Sequence, residues 1–378
     1  MKKIIIAFAL ITGLYTQAQL KTNGEVSTNP TVHNVGFITL LAHYYDDGLK
    51  LNPLNATFQG DNRYNDTLPN FLSDSFKKEL VNYYQTYLER AEKFEDAKLS
   101  ESEQMSKAIL KWECKVNLEG LAFENYTPID QMWSMNLMMG QLAGGTSAQP
   151  FKTTDDYVNW SKRLEDYVVW LQSAKTKMQE GIKAKNVLPK SLIKKVLPQL
   201  ASVEDTKLEN NLFYSPIKNF PADFTESDQL RLTDTYTKII NNKIIPAYKE
   251  LHDFMATEYL NAGRETSGIQ GIPNGDAFYA HQIKLYTTTN LTADEIHEIG
   301  LKEVARISAE MESVKKQVGF KGDLKAFFNE VRTKKELMPF TDPQQVIDNF
   351  NDIHKKMMPK VNALFSKQPK TPFEVRRT

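Results

Sequence analysis

Apolar residues recur at steps of three and four along most of this chain, the spacing that places them on one face of a helix. The clearest run is Tyr157, Trp160, Leu164, Val168, Leu171, Ala174, Met178 and Ile182. Val35, Ile38, Leu41 and Tyr45 follow the same rule, as do Leu80, Tyr83, Tyr84, Tyr87 and Leu88 within 73–94, and the period continues from Glu101 to Phe123. Leu230, Tyr236, Ile240, Ile244, Leu251 and Phe254 predict one long helix over 226–260. Pro246 lies inside it and is expected to kink it, because proline removes a backbone donor.

Two later helices announce their own starts. Thr292-Ala-Asp-Glu295 is a capping box ahead of Ile296, Ile299, Val304, Ile307, Met311, Val314 and Val318. Asp342 with Pro343 in the first helical position opens a run through Val346, Phe350, Ile353, Met357, Val361 and Leu364.

Between the helices, 52–72 reads as a long connection punctuated by Pro53, Gly60 and Pro69, and a glycine-rich patch covers 138–145. The loop 263–275 holds Gly263, Gly268, Gly271 and the Pro273-Asn274-Gly275 turn. Strand-like alternation is confined to Phe373 and Val375 within 371–378, which predicts the opening of a terminal strand. The fold expected is all-α with little or no β, as a single helical domain over 32–378.

The N-terminus has a different character. Lys2 and Lys3 precede an apolar run from Ile4 to Leu14, and Thr16-Gln17-Ala18 supplies a small-residue cleavage site. This is the three-part pattern of a secretory signal peptide over 1–18, too short to span a bilayer. Residues 19–31 read as a flexible leader. No cysteine follows the apolar run, so no lipid or membrane anchor is expected after cleavage, and the mature protein is expected in the periplasm or outside the cell.

Charge adds little. Lys+Arg and Asp+Glu each number 47, for a formal net charge of zero, and no basic stripe speaks for nucleic acid. The single cysteine, Cys114, precludes an intrachain disulfide and sits in an apolar-periodic run as a small buried hydrophobe. Glu303, Arg306 and Glu310 share a helix face as a solvated charge ladder.

Of the six histidines, none lies three or four residues from another. His297-Glu298 begins the helical zinc pattern, but position 301 is Leu, so no short metal motif is present. There is no Gly-x-Ser-x-Gly elbow, phosphate loop or dinucleotide fingerprint.

The stretch Gly275-Asp-Ala-Phe-Tyr279, Tyr286-Thr-Thr-Thr-Asn-Leu-Thr-Ala-Asp-Glu-Ile-His297 and onward to Met311 resembles the bacterial DUF885 family. The passage from Pro53 to Phe58 with Gly60, Arg63 and Asn65-Asp66 is similar to that family's opening, and Pro372-Phe-Glu-Val-Arg-Arg377 to a later element. The resemblance implies a large helical body of the neurolysin/thermolysin-like metallopeptidase fold, of gluzincin type. It also implies a zinc site at a His-Glu-x-x-Pro-Gly-His motif beyond the Phe-Glu-Val-Arg element. That motif is absent here, so no metal ligand carries over, and no cofactor is expected in this chain although zinc is expected in an intact relative. Tyr279, Tyr286, Gly271 and Asn274 are the candidate substrate-cleft residues, with a peptide as partner once the metal-binding segment is supplied. The expectation is an exported fragment of a zinc-metallopeptidase-like protein, inactive alone. The alternative is a non-catalytic exported helical binding or interaction protein.

Overall fold

The computed structural model describes residues 33–145, 147–204, 207–365 and 368–377. The segments expected as signal peptide and leader, 1–18 and 19–31, lie outside the described residues. Where the sequence offers no boundary, the structure separates two compact units, one of Val32–Asn290 and one that includes Leu291–Thr378.

Three helices and their caps build one end of the larger unit. Asn34 accepts a hydrogen bond from the Phe37 amide to start α1 (Val35–Leu51), and Ser73 does the same for α3 (Asp74–Glu92). Between them lies the short α2 (Pro53–Phe58), with proline at its first turn, where a missing N–H costs nothing. The 52–72 connection is thus partly helical, with a further 3-10 turn at Asn62–Tyr64. Ser100 and Glu103 form a capping box at α4 (Glu101–Gly120). Phe37, Leu40, Tyr44, Tyr87, Ala91, Leu110 and Cys114 make the shared core of α1, α3 and α4.

The second core is organised by one long helix. After α5 (Met135–Ala143), which takes up much of the glycine-rich patch, the Thr153–Asp156 capping box starts α6 (Thr154–Ala184). Tyr157, Trp160, Leu164, Tyr167, Trp170, Leu171, Ala174 and Met178 of α6 are buried. Against it pack α8 (Glu226–Ile239) and α9 (Ile245–Phe254), and α7 (Lys190–Ala201) packs on α9, with Val196, Leu232, Tyr248 and Leu251 in the common core. Buried hydroxyls are used across these seams: Tyr236 donates to the Tyr157 carbonyl at 2.9 Å, and the Tyr167 and Tyr248 hydroxyls meet at 2.7 Å.

The long 226–260 helix is broken differently from the expected simple kink. A π-helical segment, Ile240–Ile244, immediately precedes α9, where Pro246 is in the first turn, and a second, Met255–Tyr259, follows it. Proline has no N–H to give and its ring crowds the carbonyl one turn back, so widening the turn relieves both problems.

After the 263–275 loop comes α10 (Gly275–Thr287), which completes the larger unit. The other unit contains α11 (Ala293–Gln317), opened by the Thr292–Glu295 capping box, α12 (Leu324–Thr333) and α13 (Pro343–Leu364), opened by Asp342. Among the residues of these three helices only Lys315 is buried.

The expected terminal strand does not form. Residues 372–377 carry no strand, and among the described residues the β-pairing is one isolated bridge, Pro189 with Arg264. A strand exists only through hydrogen bonds to a neighbour, and alternation of Phe373 and Val375 supplies a face but no partner. The Phe373 ring instead stacks on His354 of α13, with centroids 4.4 Å apart.

Candidate functional site

The glycine-rich loop is held by one arginine. The Arg264 amide donates to the Leu188 carbonyl at 3.2 Å, and its own carbonyl accepts from the Lys190 amide at 2.9 Å. Its Nε donates to the Val187 carbonyl at 3.0 Å, while Nη1 donates to the carbonyls of Thr266 at 2.7 Å and Gly268 at 2.6 Å. The buried Tyr259 hydroxyl accepts from the Leu188 amide at 3.1 Å. A loop of glycines has much conformational freedom to lose, and a guanidinium fork bridging its carbonyls holds one arrangement. Burial holds Arg264 below the usual arginine range. Its Nε and Nη1 donors thus bind the loop and the segment ahead of α7.

Gly271 closes the 3-10 turn Ile269–Gly271, and Asn274 turns the chain into α10 with a left-handed φ of 57°. Asparagine tolerates that region better than other residues with a side chain. Gly275 must be glycine, because a Cβ there would sit 2.0 Å from the Ile269 carbonyl oxygen.

One face of α10 lies on the end of α4. Phe278 meets Phe123 edge to face at 5.3 Å, His281 tilts over the same ring at 5.5 Å, and Lys284 Nζ donates to both Glu119 carboxylate oxygens at 2.7 Å. The approach is close because residue 120 is glycine: a Cβ there would lie 2.8 Å from His281 Nε2. His281 Nδ1 is buried without a hydrogen-bond partner among the described residues.

The opposite face carries the two predicted tyrosines. Tyr279 is 46% exposed and Tyr286 76% exposed, seven residues apart on α10, which spaces them by about 10 Å along one stripe. Neither hydroxyl has a hydrogen-bond partner among the described residues. Gly271 and Asn274 lie just ahead of the same helix, so the four predicted residues fall on one loop–helix element. What they form is an exposed ledge with free hydroxyls and ring faces, suited to stacking and hydrogen bonding along an extended chain. The open hollows, of about 390 and 400 Å³, lie elsewhere, one beside Glu165, Asp234 and Lys243 and the other beside Lys175, Glu250 and Asp253.

Catalytic metal chemistry finds no fit in these residues. Among the described residues no three His, Cys, Asp or Glu side chains converge as metal ligands. Of the histidines, His33 faces Glu103 at 3.4 Å, His252 faces Glu204 at 3.1 Å, and His354 stacks on Phe373. Cys114 is fully buried, and burial, with Glu113 beside it, pushes its thiol up to about 12, far from a nucleophilic thiolate.

Helical periodicity hid a further feature, a tyrosine cluster around a partly buried carboxyl. Tyr44 and Tyr83 stack at 5.1 Å, and Tyr87 packs on both at 5.1 and 5.0 Å. The Tyr83 hydroxyl donates to the Tyr44 carbonyl at 2.7 Å, and the Tyr87 hydroxyl to Asp47 Oδ2 at 2.6 Å. Burial raises the Glu113 carboxyl above its ordinary range, opposed by a hydrogen bond with Tyr44. The only sequence signal was tyrosine density on α3, which equally describes ordinary packing.

The family model for DUF885, a bacterial protein of unknown function, matches residues 53–378. The chain belongs to the DUF885 family. Its members' shared region therefore takes in the Pro53–Asp66 passage, the 263–275 loop, α10 and the smaller unit. A crystal structure of a protein provisionally named a lipoprotein, from Colwellia psychrerythraea, has the same fold, with a TM-score of 0.73 at 17% identity. The match covers 90% of this DUF885 chain and 62% of the Colwellia chain, so this chain spans under two thirds of that structure's length. No curated protein matches the sequence.

Proposed function

We propose that this chain is the exported helical front portion of a DUF885-type zinc-metallopeptidase-like protein, and that it binds polypeptide without hydrolysing it. The observation that carries the reading is the histidine arrangement. Metal-assisted hydrolysis needs imidazoles set one helical turn apart or brought together by folding. Neither the spacing of the six histidines nor the described residues supply such a set. The family match and the fold shared with a longer chain support kinship with a larger protein.

In this reading the ledge of Tyr279, Tyr286, Asn274 and Gly271 lies along one side of the peptide path. Export is supported by the N-terminal sequence pattern, and no helix among the described residues is long and apolar enough to cross a membrane.

The test is direct. The purified chain is assayed for bound zinc by elemental analysis and for turnover of quenched fluorogenic peptides. No stoichiometric zinc and no turnover is the expected result; both together in the isolated chain would overturn the reading.

A second reading, a non-catalytic exported helical binding module that kept the scaffold and lost catalysis, is favoured by the extensive core around α6 in the larger unit. Genomic sequence past the Thr378 codon separates the two. An in-frame His-Glu-x-x-Pro-Gly-His supports the first, and a stop codon followed by unrelated sequence supports the second.

A further inference from the structure

The apolar stripes of α11 and α13 have the spacing of packing seams and are not buried. On α11, Val304, Ile307, Met311 and Val314 alternate steps of three and four, with Val318 just past its end, and on α13 Val346, Phe350, Ile353 and Met357 do the same, with Leu364 continuing the stripe. That alternation is the seam along which one helix packs against another. Yet Val304 is 64% exposed, Phe350 54% and Leu364 78%, and no side chain of either stripe is buried. Soluble monomers do not leave contiguous apolar surface of this extent open to water without a use for it.

We propose that these two stripes are the docking surface for a further α-helical segment of a longer polypeptide, for which the part of the Colwellia chain outside the match is the candidate. Two observations commit the occupant. The spacing of the stripes selects a helix, because ridges at three and four residues fit the grooves of another helix and offer no backbone edge to a strand. The Colwellia chain supplies the candidate. A match over 90% of this chain omits fewer residues than the 291–378 unit contains, so the shared fold reaches into α11–α13, while more than a third of the Colwellia chain remains outside it. The inference does not depend on peptidase chemistry, and its readouts are independent of zinc and turnover.

The test uses the purified 378-residue chain and the methionines already in it. Met311 and Met357 lie on the two stripes, whereas Met139, Met178 and Met255 are fully buried in the larger unit. Under mild peroxide, Met311 and Met357 are expected to oxidise about ten-fold faster than those three, read by peptide mass spectrometry. The double variant Ile307→Glu with Ile353→Glu is expected to lose most of the bis-ANS fluorescence of the parent chain and to keep its main thermal transition. In the Colwellia structure, the positions equivalent to Val304, Ile307, Phe350 and Ile353 are expected to be covered by helices from outside the match.

Three outcomes overturn the proposal. Protection of Met311 and Met357 equal to that of Met178, or a lost thermal transition in the double variant, would show that the stripes belong to this chain's own core. A discrete dimer in sedimentation velocity that the double variant converts to monomer would make a second copy the occupant. Coverage of the equivalent Colwellia positions by the matched part, or by solvent alone, would remove the candidate.

Discussion

Arg163, fully buried on α6, donates from Nη1 to the Thr57 hydroxyl at 3.0 Å and thereby ties the family-like Pro53–Asp66 passage to the central helix. Its Nε reaches the Thr67 carbonyl at 3.1 Å, Nη2 the Tyr64 carbonyl at 2.5 Å, and Nη1 also Gln149 Oε1 at 2.7 Å. Thr57 in turn donates to Asn65 Oδ1 at 2.6 Å, and Asp166 accepts from the Leu68 amide at 2.9 Å. Burial pushes the guanidinium down to about 10, with Asp66 and Asp166 opposing the shift, so the charge persists at neutral pH.

Replacing Arg163 by Met keeps the bulk and strands the buried Gln149 Oε1 and Thr57 hydroxyl together with the Tyr64 and Thr67 carbonyls. Unfolding free energy is expected to fall by about 3 kcal/mol in urea titrations. Arg163→Lys is expected to recover less than half of that, because an ammonium cannot fork to four partners. A loss under about 1 kcal/mol for the Met variant would show that the network carries little stability.

Glu113 sets a pH dependence of opposite sign to that of most carboxylates. Its folded-state value is raised by burial, so folding holds the proton more tightly than the unfolded chain does. That contribution is fully present below the ordinary glutamate value, near pH 4, and is lost as pH rises through the raised one. Glu113→Gln, which carries no charge to desolvate, is expected to be more stable than the parent at neutral pH and no more stable under mildly acidic conditions. Denaturant melts at both pH values check this, and a constant difference would refute the assignment.

Gly275→Ala should strain the turn into α10, since the new methyl collides with backbone rather than with a movable side chain. A destabilisation of about 2 kcal/mol is expected, with new protease cleavage inside 263–275. Limited proteolysis with mass-spectrometric mapping reads the second effect.

Tyr279→Ala and Tyr286→Ala probe the ledge without touching the core. Each is expected to shift stability by no more than about 0.5 kcal/mol and to weaken binding of an extended apolar peptide roughly five-fold. Fluorescence anisotropy of a labelled peptide is the readout, and unchanged affinity in the double variant would take these tyrosines out of the binding surface.

Cys114 should be inert. With its thiol raised to about 12 and no exposed surface, it is expected to resist a thiol-specific reagent in the native protein and to react fully once unfolded. Prompt native labelling would place it outside the α1–α3–α4 core.

The helices were legible wherever the three–four rhythm met a cap: α6 from its buried stripe, α11 from Thr292 and Glu295, α13 from Asp342 and Pro343. The loop–helix element holding Gly271, Asn274, Tyr279 and Tyr286 was visible as well, because glycines and a Pro-Asn-Gly turn mark a loop by local conformational preference alone. Misreadings fell where the outcome depended on a partner. Phe373 and Val375 alternate like a strand, but pairing is a property of two segments. Pro246 predicted an interruption, and it takes the form of a π-helical segment just ahead of α9 rather than a simple kink.

By itself, then, the sequence determined the helical class, the caps of α11 and α13 and the lack of a closely spaced histidine pair, since each depends on residues within a turn or two of one another. Only the tertiary structure decided that Arg163 joins α6 to a passage about a hundred residues earlier, that burial raises Glu113, and that the α11 and α13 stripes face water. Periodicity specifies which side of a helix is apolar; what covers that side is fixed by chain segments far away in sequence.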